Sequence, residues 1–330
     1  MDLRRLRSRG FAVTVSVATC MVAVTVPAQD QIPPPWAYPV NPPAAPGAQA
    51  APDDGTPRRV PGSSMAFRLT QLRDLFSAPD WHPDEHPPMP EVVARGRRPD
   101  VFACGYCHLP NGQGRPENAS LAGLPAAYIA QQMADYKNGL RKSAEPKMVP
   151  PALMVTAGKN TNEADVKAAA EYFASLKFKP WIRIVESDTV PKTHVAALMI
   201  VPLDGGGTEP IGRRIIEIPE DLARTQLRDA ASGFIAYVPV GSIKKGEALV
   251  TTGGAGKTIQ CGSCHGQDLK GLGNVPGLAG RSPSYTVRQL YDMQNGARTG
   301  PGAQLMKEAV AKLTVEDMVS IAAYTASLSP

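Results

Sequence analysis

The sequence predicts a mainly α-helical protein with two related helical modules in tandem, a small β-containing insert between them and a Pro-rich N-terminal segment. Three observations support this fold class. A block of residues recurs at a fixed distance along the chain, the recurring segments have helical periodicity, and the stretch between them is rich in β-branched residues. At 330 residues, the chain is long enough for two globular domains and their tails.

The N-terminus has the pattern of an export signal. Residues 3–10 are basic, residues 11–26 are apolar or small, and Pro27 and Ala28 precede a polar pair. This order is typical of a secretory signal peptide over residues 1–28, so we expect a periplasmic protein. The apolar run is too short for a membrane span of about 20 residues, and we expect no transmembrane span after cleavage.

Cleavage changes both the charge and the cysteine count. The signal removes four of the 35 basic residues and one of the 30 acidic residues, which leaves 31 against 29. Such a balance lacks the basic footprint of nucleic-acid binding, so no nucleic-acid partner is expected. Cys20 also leaves with the signal, and the four remaining cysteines fall into two C-x-x-C pairs.

The segment after the signal is rich in Pro, Ala and Gly, which predicts a disordered linker over residues 29–62. Residues 66–86 are more apolar and predict a short helix over 69–76 that lies on the first domain. In this stretch, His82 and His86 are expected to be solvated. The predicted domains are a first module with its N-terminal extension, an insert and a second module, over residues 63–180, 181–240 and 241–330.

The repeat has two registers. Fourteen positions between Cys104 and Arg141 recur 157 positions later, between Cys261 and Arg298. Further on the offset is 152, because the first copy has a loop five residues longer around residues 143–151. A match in two registers over about 75 residues indicates a duplicated module.

The last segment of each copy predicts a helix. Apolar residues over 166–176 and over 318–328 follow the spacing of one buried helix face. Asn162 and Thr314 precede these segments as candidate N-caps.

The stretch between the modules changes character and predicts strands. Its β-branched or aromatic runs lie at residues 182–185, 195–201, 214–218 and 234–240. Asp204-Gly-Gly-Gly207, between the second and third runs, predicts a hairpin turn.

Each module contains one C-x-x-C-H motif, the attachment sequence of c-type haem: Cys104-Gly-Tyr-Cys107-His108 and Cys261-Gly-Ser-Cys264-His265. On one helical turn, two thiols can reach the two vinyl groups of a haem while the following imidazole turns under the iron. The motifs therefore predict two covalently bound haem c groups with His108 and His265 as proximal ligands. A disulfide or a zinc site is the alternative for C-x-x-C pairs, but neither requires a His directly after both.

The residue opposite each proximal His decides between carrier and catalyst, because Met or His closes the iron and an empty position leaves it open. Met154 and Met306 stand at the same place in the repeat and are the predicted axial ligands. Met148 is the alternative in the first module, because the change in loop length falls beside it.

Both modules resemble class I cytochromes c, and the pair resembles the tandem dihaem cytochromes c of bacteria, over residues 90–176 and 243–328. The resemblance implies two helical cytochrome domains in which the carbonyl of Pro276 accepts the N–H of a proximal His. Ala119 stands at the equivalent position of the first module and still offers a carbonyl.

These features predict a periplasmic electron carrier, with no catalytic residue, that passes single electrons between a donor dehydrogenase and an acceptor oxidase or reductase. Its partners would be redox proteins. Two alternatives stay open: a haem enzyme, peroxidase-like, with one iron open to a small substrate, and a cytochrome subunit docked to a dehydrogenase. Thiosulfate dehydrogenases, which resemble this layout, use a Cys ligand at one haem, and the mature chain has no spare Cys.

Overall fold

The computed structural model describes residues 32–43, 47 and 51–330, so the predicted signal peptide lies outside the described residues. Residues 33–330 form one compact unit. Among the described residues, no helix is both long enough and apolar enough to cross a membrane.

Helices dominate both modules. Those of the first module and its extension are α1 Leu69–Leu72, α2 Glu91–Ala94, α3 Cys104–His108, α4 Ala126–Lys137, α5 Val149–Asn160 and α6 Glu163–Ser175. The insert contains α7 Leu222–Gln226. Those of the second module are α8 Ser242–Thr252, α9 Gly262–His265, α10 Pro283–Gln294, α11 Pro301–Val310 and α12 Val315–Ser327.

The helix bounds follow the two registers of the repeat. Helices α4 and α10 begin and end 157 positions apart, and α6 and α12 begin and end 152 positions apart. The predicted N-caps are confirmed, because the Asn162 and Thr314 side chains accept the backbone N–H of Asp165 and Asp317. The five extra residues therefore lie between α4 and α5, as the change of register predicts.

The insert is β-containing, as predicted. Its strands are β1 Ile182–Glu186, β2 Thr189–Pro191, β3 Thr193–Ala196, β4 Met199–Pro202, β5 Thr208–Pro210, β6 Ile216–Pro219 and β7 Phe234–Val238, and the second module adds β8 Gly271–Leu272 and β9 Val275–Pro276. Strands β1, β7 and β6 form a sheet in that order. Strand β1 is the first strand of the insert and β7 is the last, and the two pair in parallel. The chain therefore enters and leaves the insert through adjacent strands.

The predicted hairpin at residues 204–207 is wrong. The turn does join β4 to β5, but β4 pairs with β3 and β5 pairs with β2. The Leu203 N–H donates to the Lys192 carbonyl, and the Lys192 N–H donates to the Gly207 carbonyl. The chain therefore turns back onto the β2–β3 connection, and the β3–β4 hairpin instead turns at Ala197 and Leu198, which both have positive φ.

Each module has its own apolar core. Val93, Ile129 and Phe173 belong to the core of the first module, and Val287 and Ile321 to that of the second.

Close helix packing in the second module depends on a glycine. A Cβ at Gly246 in α8 would collide with the backbone oxygen of Ser320 in α12. Glycine is therefore what allows the two helices to approach so closely.

The prediction of a disordered linker over residues 29–62 is wrong around Tyr38 and Val60, which are buried. Tyr38 is 2% exposed and belongs to the core of the second module. Its hydroxyl donates to the Asp292 carboxylate at 2.8 Å, and the Ala37 carbonyl accepts from the Arg288 guanidinium at 2.7 Å. Further along, Val60 is buried beside Leu72 and Trp81. Burial of one aromatic side chain with a hydrogen-bond partner thus orders a segment whose Pro-rich composition predicts disorder.

The expectation of solvated histidines is also wrong. His82 Nε2 lies 2.9 Å from an Asp229 carboxylate oxygen of the insert, and His86 Nε2 lies 3.1 Å from Asp80. The Tyr172 hydroxyl of α6 lies 3.0 Å from His86 Nδ1. These residues hold the N-terminal extension against the first module and the insert.

Candidate functional site

The two motif histidines are buried at the ends of α3 and α9. The Nδ1 atom of each lies within hydrogen-bond distance of a backbone carbonyl oxygen. His108 Nδ1 lies 2.8 Å from the Ala119 oxygen, and His265 Nδ1 lies 2.7 Å from the Pro276 oxygen. The expected carbonyl partners are thus confirmed in both modules. When Nδ1 donates to a carbonyl, Nε2 keeps a free lone pair, which is the tautomer a metal-binding imidazole requires.

Local backbone geometry explains these bonds. The residue after each His has positive φ, 63° at Leu109 and 84° at Gly266, so the helix stops at once and the chain turns away. The chain then returns to place a carbonyl 11 positions after each His. Burial lowers the pKa of both imidazoles, which favours the neutral form that binds iron.

The four motif cysteines form no disulfide and have different surroundings. Cys261 and Cys264 line a cavity between the modules. Cys104 and Cys107 are half-buried and pack against the apolar clusters around α2 and around Tyr106.

The surroundings of the thiols do not form a zinc site. Burial raises the pKa of Cys104 to about 12 and that of Cys261 to about 11. Among the described residues, no three His, Cys, Asp or Glu side chains converge as metal ligands would.

The cavity between the modules has a volume of about 520 Å³ and brings the remaining candidates together. His108, His265, Met154 and Met306 all line it. Met154 and Met306 are each the sixth residue of their helices, α5 and α11. The structure therefore places both histidines and both predicted methionines around one largely apolar space.

Met148, the alternative in the first module, also lines the cavity but sits differently. It precedes α5, is 1% exposed and belongs to the apolar core of the second module, together with Val287 and Ile321. Such packing across the two modules is itself a sufficient reason for a Met at this position.

Sequence reasoning missed the polar side of the cavity. Four arginines line it: Arg141, Arg281, Arg288 and Arg298. They donate to backbone carbonyls and side-chain amides, and within the described residues none forms an ion pair with a carboxylate. Burial lowers the pKa of Arg281 to about 10.

Buried cations without a direct carboxylate contact are costly, so this cavity suits a group that brings its own carboxylates. Haem, with its two propionates and its apolar ring, has that chemistry. The only signal in the sequence was that Arg141 and Arg298 occupy the same repeat position.

Comparison with known proteins finds relatives among the cytochromes c. The family model described as Cytochrome c matches residues 93–177. A cytochrome c-554(548) from Halomonas halodenitrificans is 37% identical over 75 residues, which are 22% of this chain and 90% of that protein.

Longer matches are more distant. A thiosulfate dehydrogenase electron acceptor from Thiomonas intermedia is 26% identical over 239 residues, 70% of this chain and 82% of that protein. A cytochrome c4 from Azotobacter vinelandii is 27% identical over 232 residues, 68% of this chain and 84% of that protein.

Proposed function

The chain belongs to the cytochrome c family, which implies covalently bound haem c, and from that premise we propose that it is a periplasmic carrier of single electrons with one haem in each module. The observation that carries the proposal is the shared cavity, which has a His and a Met from each module in the same repeat register.

The residues present fit this cofactor. Cys104 and Cys107 would attach one haem, and Cys261 and Cys264 the other. Bound haem supplies a reversible one-electron couple between ferric and ferrous iron.

The histidines would bind iron through Nε2. The carbonyls of Ala119 and Pro276 hold the rings in orientation and keep the proton on Nδ1. These hydrogen bonds also make each imidazole a stronger donor to the metal.

Met154 and Met306, which line the same cavity as the histidines, would supply the thioether ligands that hold the iron. A thioether is a soft ligand that favours the reduced metal, so it suits a carrier with a high potential. Met148 is assigned to packing between the modules because of its burial in the core of the second.

The four arginines would compensate the propionates, and their guanidinium groups are already held by carbonyls and amides. Little reorganisation then accompanies a change of iron charge, which is what fast electron transfer needs.

The partners are proposed from chemistry and from relatives. One relative is named as an electron acceptor of thiosulfate dehydrogenase, and this supports a dehydrogenase as donor for the present chain. The acceptor would be an oxidase or a reductase, because a carrier must pass each electron on.

Carbon monoxide tests the proposal against the haem-enzyme alternative. Iron held by both a His and a Met would leave no site for it, so we expect slow, substoichiometric binding by the reduced protein and negligible peroxidase turnover. Fast binding of one equivalent per chain would show an open iron and favour the enzyme.

A further inference from the structure

The two haem-attachment turns differ in exposure although they occupy the same repeat positions. In the second module, Ser263 and Cys264 are exposed. Their counterparts in the first module are covered: Tyr106 is 5% exposed and Cys107 is half-buried. The haem-attachment turn of the second module is therefore exposed to solvent, and that of the first module is not.

The N-terminal extension covers one side of the first turn. The Tyr106 hydroxyl donates to the Leu72 carbonyl of α1 at 3.1 Å. Gly105 lies so close to Ala78 that a Cβ added there would come within 3.0 Å of the Ala78 methyl. The Phe76 ring packs edge-on against Phe102, with centroids 5.1 Å apart.

The insert covers the other side. The Arg228 guanidinium stacks on the Tyr106 ring at 3.7 Å and donates to the Tyr106 carbonyl at 2.8 Å. Both covering segments lie outside the stretches that resemble cytochromes c. The cover is therefore an addition to the module and not a part of it.

The second module has an exposed apolar surface at the corresponding place. Ile259 is 46% exposed and Leu305 is 82% exposed, and both line the cavity, as Cys264 does. The counterpart of Ile259 is the covered Phe102, and the counterpart of Leu305 is Leu153, which is 36% exposed.

Positive charge borders this surface. Lys257 and Lys312 hold the loop before Ile259, with the Lys312 Nζ donating to the Gly256 carbonyl at 3.3 Å. Lys257 pairs with the buried Asp317 carboxylate, but the Lys257 side chain is 47% exposed and Lys312 is exposed as well, so an approaching protein can contact both ammonium groups. An apolar centre with lysines at its edge fits a partner patch with an apolar centre and carboxylates around it.

We propose that the surface formed by Ile259, Cys264 and Leu305 is the docking site for an acidic redox protein, and that the first module exchanges electrons with partners only through the second. This inference rests on the proposed electron-carrier function. For each electron delivered, the second module is oxidised by one electron and the partner reduced by one, and the first module then re-reduces the second. No proton or covalent bond changes hands.

Stopped-flow oxidation of the fully reduced haem-loaded protein by plastocyanin, a small acidic copper protein, tests both parts. At low salt, Leu305→Asp should slow electron delivery roughly tenfold by placing a carboxylate in the patch. The slowing should affect both electrons. The matched control Leu153→Asp, at the same repeat position in the first module, should leave both unchanged.

Several outcomes would overturn the inference. If half of the amplitude stays fast in Leu305→Asp, the first module has its own route. If the rate is unchanged and sedimentation shows a dimer that the variant dissolves, the surface binds a second copy of the chain. If wild-type protein fails to exchange electrons with the small complex hexaammineruthenium, the proposed function fails instead.

Hydrogen exchange supplies a readout that does not depend on electron transfer. Plastocyanin should protect residues 257–264 and 302–309 and leave residues 102–107 unaffected. Protection of residues 102–107 would contradict the claim that the covered turn of the first module does not contact the partner.

Discussion

Arg141 and Arg298 hold the same position in the two repeats and face each other in an antiparallel bridge between the modules. Each guanidinium donates to the same two acceptors. Arg141 bonds to Gln132 at 2.8 Å and Gln289 at 3.0 Å, and Arg298 bonds to Gln289 at 3.0 Å and Gln132 at 2.8 Å.

The backbone on either side has the same symmetry. The Lys142 N–H donates to the Ala297 carbonyl at 2.8 Å, and the Thr299 N–H donates to the Leu140 carbonyl at 2.7 Å. Each of these bonds maps onto the other through the offset of 157. The modules therefore meet about an approximate two-fold axis that passes between the two arginines.

Removing either shared acceptor should destabilise the protein by a similar amount. Gln132→Leu and Gln289→Leu each leave two buried, charged donors short of a partner, so each should lower the free energy of unfolding by about 2 kcal/mol. Denaturant titration of the haem-loaded protein measures this. Gln226→Leu, at an exposed position of α7, is the control and should change stability by less than about 0.5 kcal/mol. Unequal losses at the two glutamines would contradict the symmetric interface.

Substitution should distinguish the methionines proposed to bind iron from Met148. Met306→Ala and Met154→Ala should each remove half of the Met-to-ferric-iron charge-transfer absorbance and lower the potential of one haem, because the soft thioether is lost. Met148→Ala should destabilise the fold by about 2–5 kcal/mol and leave the band intact. If Met148→Ala changes the band and Met154→Ala does not, the assignment in the first module is wrong.

The N-terminal segment should contribute to the stability of the second module. Tyr38→Phe removes a hydrogen bond to the buried Asp292 carboxylate and should cost about 1–3 kcal/mol of unfolding free energy. Asn41→Ala, which removes an exposed bond to the Leu198 N–H, is the control in the same segment and should cost less than about 0.5 kcal/mol. Equal, small effects would mean that the segment is not docked in solution.

His86 should make the N-terminal extension sensitive to pH. The hydrogen bond to Asp80 raises the pKa of His86 above its usual 6.5, and the backbone carbonyl of Pro87 and the charge of Glu85 act in the same direction. The resulting stability is fully present below about pH 6.5 and is lost as pH rises through the folded pKa. Wild-type protein should therefore lose more stability than His86→Gln over that range. The exposed His194, changed to Gln, should follow the wild-type curve.

Local patterns predicted the parts of the structure that local physics controls. The caps at Asn162 and Thr314 and the helices that follow them depend on residues a few positions apart. Helix bounds in the second copy could even be transferred from the first, because a repeat must bury the same faces.

Local patterns could not predict contacts between residues far apart in the sequence. Nothing near Tyr38 in the sequence indicates that Asp292, 254 positions away, accepts a hydrogen bond from its hydroxyl. The same holds for His82 with Asp229 and for the cover that Arg228 places on Tyr106. Composition indicates that a Pro-rich segment is stiff, but it does not indicate whether an aromatic side chain such as Tyr38 is buried in a distant core.

The central claim is that each module carries its own covalently bound haem, and mass spectrometry of the exported protein under denaturing conditions tests it most directly. Thioether bonds survive unfolding, whereas axial ligands do not. The account predicts the mass of the mature chain plus two haems, with one haem on the peptide that contains Cys104 and Cys107 and one on the peptide that contains Cys261 and Cys264. A chain that carries one haem or none would contradict it.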